Sequence, residues 1–248
     1  MAYSDTVLKQ LIALIPRYEF DALAAAHHTG QKFRSFNRWS QFLAMLIGQL
    51  SGRKSLRDIT DNLKAQGNRL YHLGMKRTTK ATLARVNAEQ PASLYQTLFA
   101  RLLNRCQLVA PKHRFSFKGK LYLLDATVIN LCLAAFPWAE FRQKKGAIKL
   151  HVGLDADGHL PVFMDMTRGN EHEISWARAL KLPKGSFVCI DRGFTDYRWY
   201  SDLTTNAVFF VSRLKSNADV QYLLKRAGRK SLGVTNDQTI RLKGVEQP

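Results

Sequence analysis

The apolar residues recur at helical spacing in the first part of the chain and at strand spacing in the second. In WSQFLAMLIGQL, Trp39, Phe42, Leu43, Leu46, Ile47 and Leu50 fall at i, i+3, i+4, i+7, i+8 and i+11, which is one face of a helix. After the glycine-containing turn SGRKS, Ser55 with Asp58 forms a capping-box pattern ahead of Leu56, Ile59 and Leu63, predicting a second helix. The segment KRTTKATLARVNAEQP predicts a third, with Thr79 as N-cap, Leu83 and Val86 inward and Pro91 beyond its end. Three short helices with basic turns are expected before about residue 115.

From about residue 119 the period shifts toward two, as a sheet requires. KLYLLDATVINLCL reads as a strand. Ile148, Leu150, Val152 and Leu154 alternate in AIKLHVGL, DADG supplies turn chemistry, and Leu160, Val162, Met164 and Met166 alternate again, so a hairpin is expected. That alternation puts His151 on the polar face. Glu173 to Leu180 suits a short helix, SFVCI a buried strand, DYRWYSDLTTN another helix and AVFFVSRL a last strand. The order strand, hairpin, helix, strand, helix, strand is an α/β pattern.

With 248 residues, 46% of them hydrophobic, the chain can bury one large core or two smaller ones. Charge narrows the partners. Lys and Arg total 38 against 19 for Asp and Glu, a formal net charge of +19. The excess is spread along the chain, which favours a polyanion. Nucleic acid suits it better than membrane, because the longest apolar stretch, FLAMLIGQL at 42–50, is about half the roughly 20 residues a spanning helix needs. MAYSDTVLKQ has no basic region ahead of its apolar run, so a cytoplasmic protein is expected. Cys106, Cys132 and Cys189 are odd in number, widely spaced and without a C-x-x-C; they read as reduced core residues.

The candidate chemistry lies in two matching segments. LYLLD at 121–125 and FVCID at 187–191 each run a continuous apolar stretch into an aspartate. Asp often ends a strand only to begin a turn. Two copies on strands of this topology point further: if the strands lie side by side and parallel, Asp125 and Asp191 meet at one end of the sheet. Carboxylates about 4 Å apart repel by roughly 4 kcal/mol at an effective dielectric near 20, so a cation belongs between them. Oxygen ligands suit Mg²⁺, which takes one or two protein carboxylates together with water and substrate phosphate. His151, His172 in RGNEHE and the pair His27–His28 are weaker metal candidates, the last pair reading as solvated surface. Glu171 and Glu173 read as helix N-terminal charges. Gly193 reads as permitting a turn.

The segments LYLLDATVINL, FPWAEFRQKKGAIKLHVGLDADGHLPVFMDMTRGNEHE and FVCIDRGFTDY resemble the catalytic core of bacterial DDE transposases of the insertion-sequence-four family. FNRWSQFLAMLIGQLSGRKSLRDITDNL and YHLGMKRTTKATLARVNAE resemble the helical domain that precedes the core in one subgroup. The resemblance implies a helical N-terminal domain over 1–115 that binds DNA, then an RNase H-like mixed sheet with flanking helices over 116–248. It also implies Mg²⁺ as cofactor, with Asp125 and Asp191 as the first two catalytic and metal-holding aspartates. Double-stranded DNA, as element ends and target, is the implied partner; the implied location is the bacterial cytoplasm at the nucleoid. A homodimer on DNA is left open.

One family feature is missing. The pattern Y-x2-R-x3-E-x6-K, whose glutamate is the third ligand, does not occur: Tyr197, Tyr200 and Tyr222 are not followed by arginine at the required spacing, and Glu246 sits between Gly244 and Pro248. TNDQTIRLKGVEQP looks like the opening of the strand-rich insertion that precedes that glutamate, so an interrupted copy is expected. Arg53, Lys54, Arg57, Lys76, Arg77 and Lys80 in the helical turns are expected to contact DNA phosphates, the alternative being a solvated face. Arg192 either contacts substrate phosphate, with Thr195 nearby, or forms a surface ion pair. The rival to a transposase is a non-catalytic DNA-binding fragment that inhibits the full-length enzyme. A basic RNA-binding protein fits less well, because no aromatic stacking motif is evident.

Overall fold

The computed structural model describes residues 6–131, 140–142, 145–228 and 233–242. The chain divides into two compact units, Met1–Arg105 and Cys106–Pro248.

The helices in order are α1 (Val7–Ala13), α2 (Arg17–Ala26), α3 (Arg38–Leu50), α4 (Leu56–Gln66), α5 (Lys80–Glu89) and α6 (Ser93–Val109), with a 3-10 turn at Gly67–Leu73. The three expected helices are α3, α4 and α5. Ser55 and Thr79 cap the last two by accepting from the backbone N–H groups of Asp58 and Thr82. Asn37 does the same for α3. The other three helices go beyond the expectation. Helix α3 lies at the centre: Trp39, Phe42 and Leu43 pack with Phe20 and Leu23 of α2 and Leu94 and Leu98 of α6, while Ala44 and Ile47 pack with Ile59, Leu63 and Leu83. A methyl group on Gly48 would lie 2.6 Å from Ile59 Cδ1, so this glycine lets α3 and α4 close on each other.

Two side chains of α3 also fix the segment before α5. Trp39 Nε1 donates to the Leu73 carbonyl at 2.8 Å, and Ser40 Oγ accepts from Lys76 N at 2.9 Å. The basic residues that follow therefore start from an anchored backbone.

Several readings are corrected. His27 is half-buried because the end of α2 meets α6: its Nδ1 lies 2.8 Å from Ser93 Oγ and its Nε2 3.2 Å from Thr97 Oγ1. Cys106 is exposed on α6 and Cys189 only partly buried. Cys132 lies outside the described residues.

The strands are β1 (Leu121–Leu131), β2 (Glu140–Arg142), β3 (Lys145–Asp155), β4 (Leu160–Arg168), β5 (Phe187–Cys189), β6 (Phe209–Val211), β7 (Val220–Ala227) and β8 (Asn236–Leu242), with helices α7 (Glu173–Ala179) and α8 (Tyr197–Thr205) between β4 and β6. Strands β1 to β6 form one sheet in the order β2-β3-β1-β5-β6, with β4 also paired to β3. Strands β1, β3 and β4 are antiparallel, whereas β5 and β6 run parallel to β1. With α7 and α8 connecting the parallel strands, this is an RNase H-like core. Tyr122, Leu124, Val188 and Ile190 pack against Trp176, Phe194, Trp199, Tyr200 and Leu203. The ribbon of β7 and β8 is a separate two-stranded sheet. Among the described residues no helix is long and apolar enough to cross a membrane.

His151 departs from the expected polar face, because Trp176 of α7 covers the face of β3 that it occupies. The ring is 0% exposed, its centroid is 5.0 Å from that of Trp176, and Nε2 lies 2.8 Å from Thr167 Oγ1. Nδ1 is buried without a hydrogen-bond partner. Burial, with the neighbouring Lys149 adding to it, lowers the imidazole pKa below its ordinary value. The unfolded chain therefore binds the proton first as pH falls. Stability from neutral His151 is present above about pH 6.5 and is lost as pH drops toward the lowered folded-state pKa, with a slope of at most about 1.4 kcal/mol per pH unit. Urea unfolding across pH 5 to 8 is expected to show that loss, and His151→Leu to flatten it.

Candidate functional site

The pairing of β1 with β5 is the expected one: adjacent, parallel and in step, with Leu121 opposite Phe187, Tyr122 opposite Val188 and Leu123 opposite Cys189. The ladder ends at Leu123 and Cys189, and Asp125 and Asp191 each follow two residues later. In β1, period-two alternation sets Asp125 on the side of Leu123, away from Leu124 in the core, whereas Asp191 lies just beyond β5. Both are exposed.

Each carboxylate is oriented by one backbone N–H. Asp125 Oδ1 accepts from Ala126 N at 2.8 Å, and Asp191 Oδ1 accepts from Gly193 N at 2.7 Å. The second bond makes Asp191 the cap of a 3-10 turn, Arg192–Phe194. Among the described residues neither carboxylate enters an ion pair, although the chain carries 38 Lys and Arg. Two carboxylates left without a cation at one end of a sheet, in a protein of net charge +19, are available to an external cation. Their oxygen donors suit a hard divalent ion. Among the described residues no group of three or more His, Cys, Asp or Glu side chains could hold a metal ion, so the pair lacks a third ligand there. Glu246 lies outside the described residues.

Arg192 follows Asp191 and is exposed; Thr195 Oγ1 donates to the Arg192 carbonyl at 2.9 Å and so ties the turn. No ion pair among the described residues involves Arg192. Glu173 is in the first turn of α7, as expected, and there its carboxylate lies 3.3 Å from Lys149 Nζ. It also comes against Gly193, which no sequence signal announced.

The basic residues of the helical unit divide into two sets. Arg57, Lys76, Arg77 and Lys80 line a cleft of about 670 Å³ together with Lys64, which sequence reasoning passed over. A second cleft, of about 830 Å³, shares Lys76, Arg77 and Thr79 and is walled by Phe36 and Tyr71. Arg53 instead pairs with Asp58 at 3.2 Å, and Lys54 donates its backbone N–H to the same carboxylate. These two belong to the start of α4 and are not part of the cleft lining. Lys64 lies two turns along α4 from Arg57, a spacing that places both on one side.

Residues 116–246 match the family model described as "Transposase DDE domain", and residues 3–76 match one described as "Domain of unknown function (DUF4372)". A Sinorhizobium fredii protein named as the transposase y4zB is 27% identical over 164 residues, 64% of this chain and 45% of that protein. A Geobacillus stearothermophilus protein named as the transposase of insertion sequence element IS5377 is 24% identical over 176 residues, 70% of this chain and 46% of that protein. The chain thus spans less than half the length of both curated relatives. Among solved structures, a piggyBac transposase synaptic complex with hairpin DNA matches with a TM-score of 0.41 and 12% identity, covering 87% of this chain and 54% of that one. A likeness that loose carries no weight for the site.

Proposed function

The chain belongs to the transposase DDE domain family, and from that premise we propose that it serves the transposition of an insertion sequence of the insertion-sequence-four type, through Mg²⁺-dependent cleavage and strand transfer at DNA ends. The observation that supports this reading is the adjacent, parallel pairing of β1 and β5, each followed two residues past the last pair by an aspartate, Asp125 and Asp191, with no ion pair to either among the described residues.

When bound between these carboxylates, a divalent ion supplies Lewis-acid polarisation of a phosphodiester and a more acidic attacking water or 3′-hydroxyl. The chain's own residues set the stage. Asp191 is held toward the Gly193 N–H and Asp125 toward the Ala126 N–H, so each carboxylate presents from a fixed backbone. Arg192 stands exposed beside Asp191, where its guanidinium fork suits a phosphate oxygen. The DNA duplex is engaged by the cleft of Arg57, Lys64, Lys76, Arg77 and Lys80, with the N-terminus of α5 adding its backbone N–H groups.

In this reading residues 1–248 supply two of the family's three carboxylates, because the Y-x2-R-x3-E-x6-K pattern is absent from them. Mg²⁺ demands near-octahedral oxygen geometry and dehydrates reluctantly, so two aspartates hold it weakly. Residues 1–248 are therefore expected to bind a duplex bearing the element's ends without cleaving it, and a segment carrying the missing pattern to restore cleavage. Gel analysis of a labelled duplex with Mg²⁺ checks both. Robust cleavage by residues 1–248 alone would show that the third ligand lies elsewhere in the chain. Failure of restoration would favour the non-catalytic DNA-binding fragment.

A further inference from the structure

We infer that Glu173 is a positioning residue for Asp191, acting across Gly193 and held in place by Lys149; the inference rests on the reading of Asp191 as a metal-holding carboxylate. Lys149 stands on β3 opposite Val128 of β1, three residues beyond Asp125. Its side chain is only 12% exposed; Nζ donates to the Glu171 carbonyl at 2.8 Å and lies 3.3 Å from Glu173 Oε1. The lysine thus joins the strand beside Asp125 to the start of α7.

The far side of Glu173 meets the Asp191 turn. A methyl group built on Gly193 would overlap Glu173 Oε2, and would lie 3.0 Å from Asp191 Oδ1. Both carboxylates therefore flank one Cα. Gly193 is not among the glycines with positive φ, so the backbone conformation does not demand glycine there; space does. This changes the sequence reading, in which Gly193 only permitted a turn.

The physical consequence concerns the direction of Asp191. The Glu173 side chain fills that side of the turn, leaving the Gly193 N–H as the group Asp191 Oδ1 turns to, at 2.7 Å. Lys149 offsets the charge of Glu173, which keeps the helix start and the turn together. Glu173 is not advanced as a ligand, since no three-ligand metal group occurs among the described residues.

The test uses the full chain with Glu173→Ala, Gly193→Ala, the double variant and Asp191→Asn, read by amide exchange at residue 193 in metal-free protein and by Mn²⁺ affinity. Exchange at Val188, inside the core, reports any global loss of structure. Each of the first two changes is expected to speed exchange at residue 193 by about tenfold and to weaken Mn²⁺ by a similar factor, the size of one hydrogen bond to a charged group. Acting through one contact, they are not additive, so the double variant loses about tenfold as well. Glu173→Gln, which keeps the packing, is expected to retain most of the Mn²⁺ affinity; a ligand would lose it. Unchanged exchange in either single variant, additive losses in the double, or loss of affinity in Glu173→Gln equal to that of Glu173→Ala would overturn the inference. Unchanged Mn²⁺ affinity in Asp191→Asn would instead overturn the metal reading, while the exchange data still decide the positioning role.

Discussion

Asp125→Asn or Asp191→Asn, placed in a chain that also carries the third carboxylate, is expected to lower Mg²⁺-dependent cleavage of a terminal DNA duplex by about 10³-fold or more. The figure follows from several kcal/mol of charge stabilisation by a bound ion, at about 1.4 kcal/mol per factor of ten. Asparagine keeps the size of aspartate and an amide oxygen for the same backbone N–H, so the Arg192–Phe194 turn survives. Both positions are exposed, and stability is expected to change by no more than about 0.5 kcal/mol. A melting curve beside the cleavage assay separates lost chemistry from lost structure. Full cleavage by either variant would mean that the aspartates end their strands only to begin turns.

DNA binding by residues 1–248 is expected to fall steeply with salt, and most of that dependence to vanish when the cleft is neutralised. If Arg57, Lys64, Lys76, Arg77 and Lys80 each meet a phosphate, a slope of about −0.9 per contact gives roughly −4.5 on a log–log plot. That corresponds to about 500-fold weaker binding at 200 mM than at 50 mM salt. Replacing Lys76, Arg77 and Lys80 by Gln is expected to bring the slope to about −1.8. Arg53→Gln serves as the contrast, because Arg53 is already engaged with Asp58. Fluorescence anisotropy over a salt series gives each slope directly. A slope that the triple substitution leaves intact would assign the binding to other cations of the chain.

What the sequence made legible, and what it hid, follows from whether a signal is local. Helices α3, α4 and α5 could be read because a cap and an apolar period occur together within a dozen residues, as at Ser55 and Thr79. Helix α6 begins SLYQTL only two residues after Pro91, where the proline marks the end of α5 more strongly than Ser93 and Gln96 mark a new start. The pairing of β1 with β5 was readable because two apolar runs end on the same residue type, which is a repeat visible at any distance. His151 misled for a physical reason: alternation separates inside from outside only on a sheet with one open face, and here Trp176 covers the face that His151 occupies. The contact of Glu173 with Gly193 gave no signal because it arises only when segments apart in the chain meet, whereas Lys64 was legible from its spacing to Arg57.

The strands that lead to the two aspartates, β1 and β5, pair residues 66 positions apart, as Leu121 with Phe187. Between them the chain must complete β3, β4 and α7, since β3 flanks β1 and α7 leads into β5. Closing so long a loop costs entropy before any contact rewards it. Within the helical unit, α3 and α4 meet through residues much nearer in sequence, such as Ile47 and Ile59, and that part bears less of the delay. On the proposed reading, a chain still being synthesised therefore has its first basic helices paired before β5 has been made to bring Asp191 beside β1.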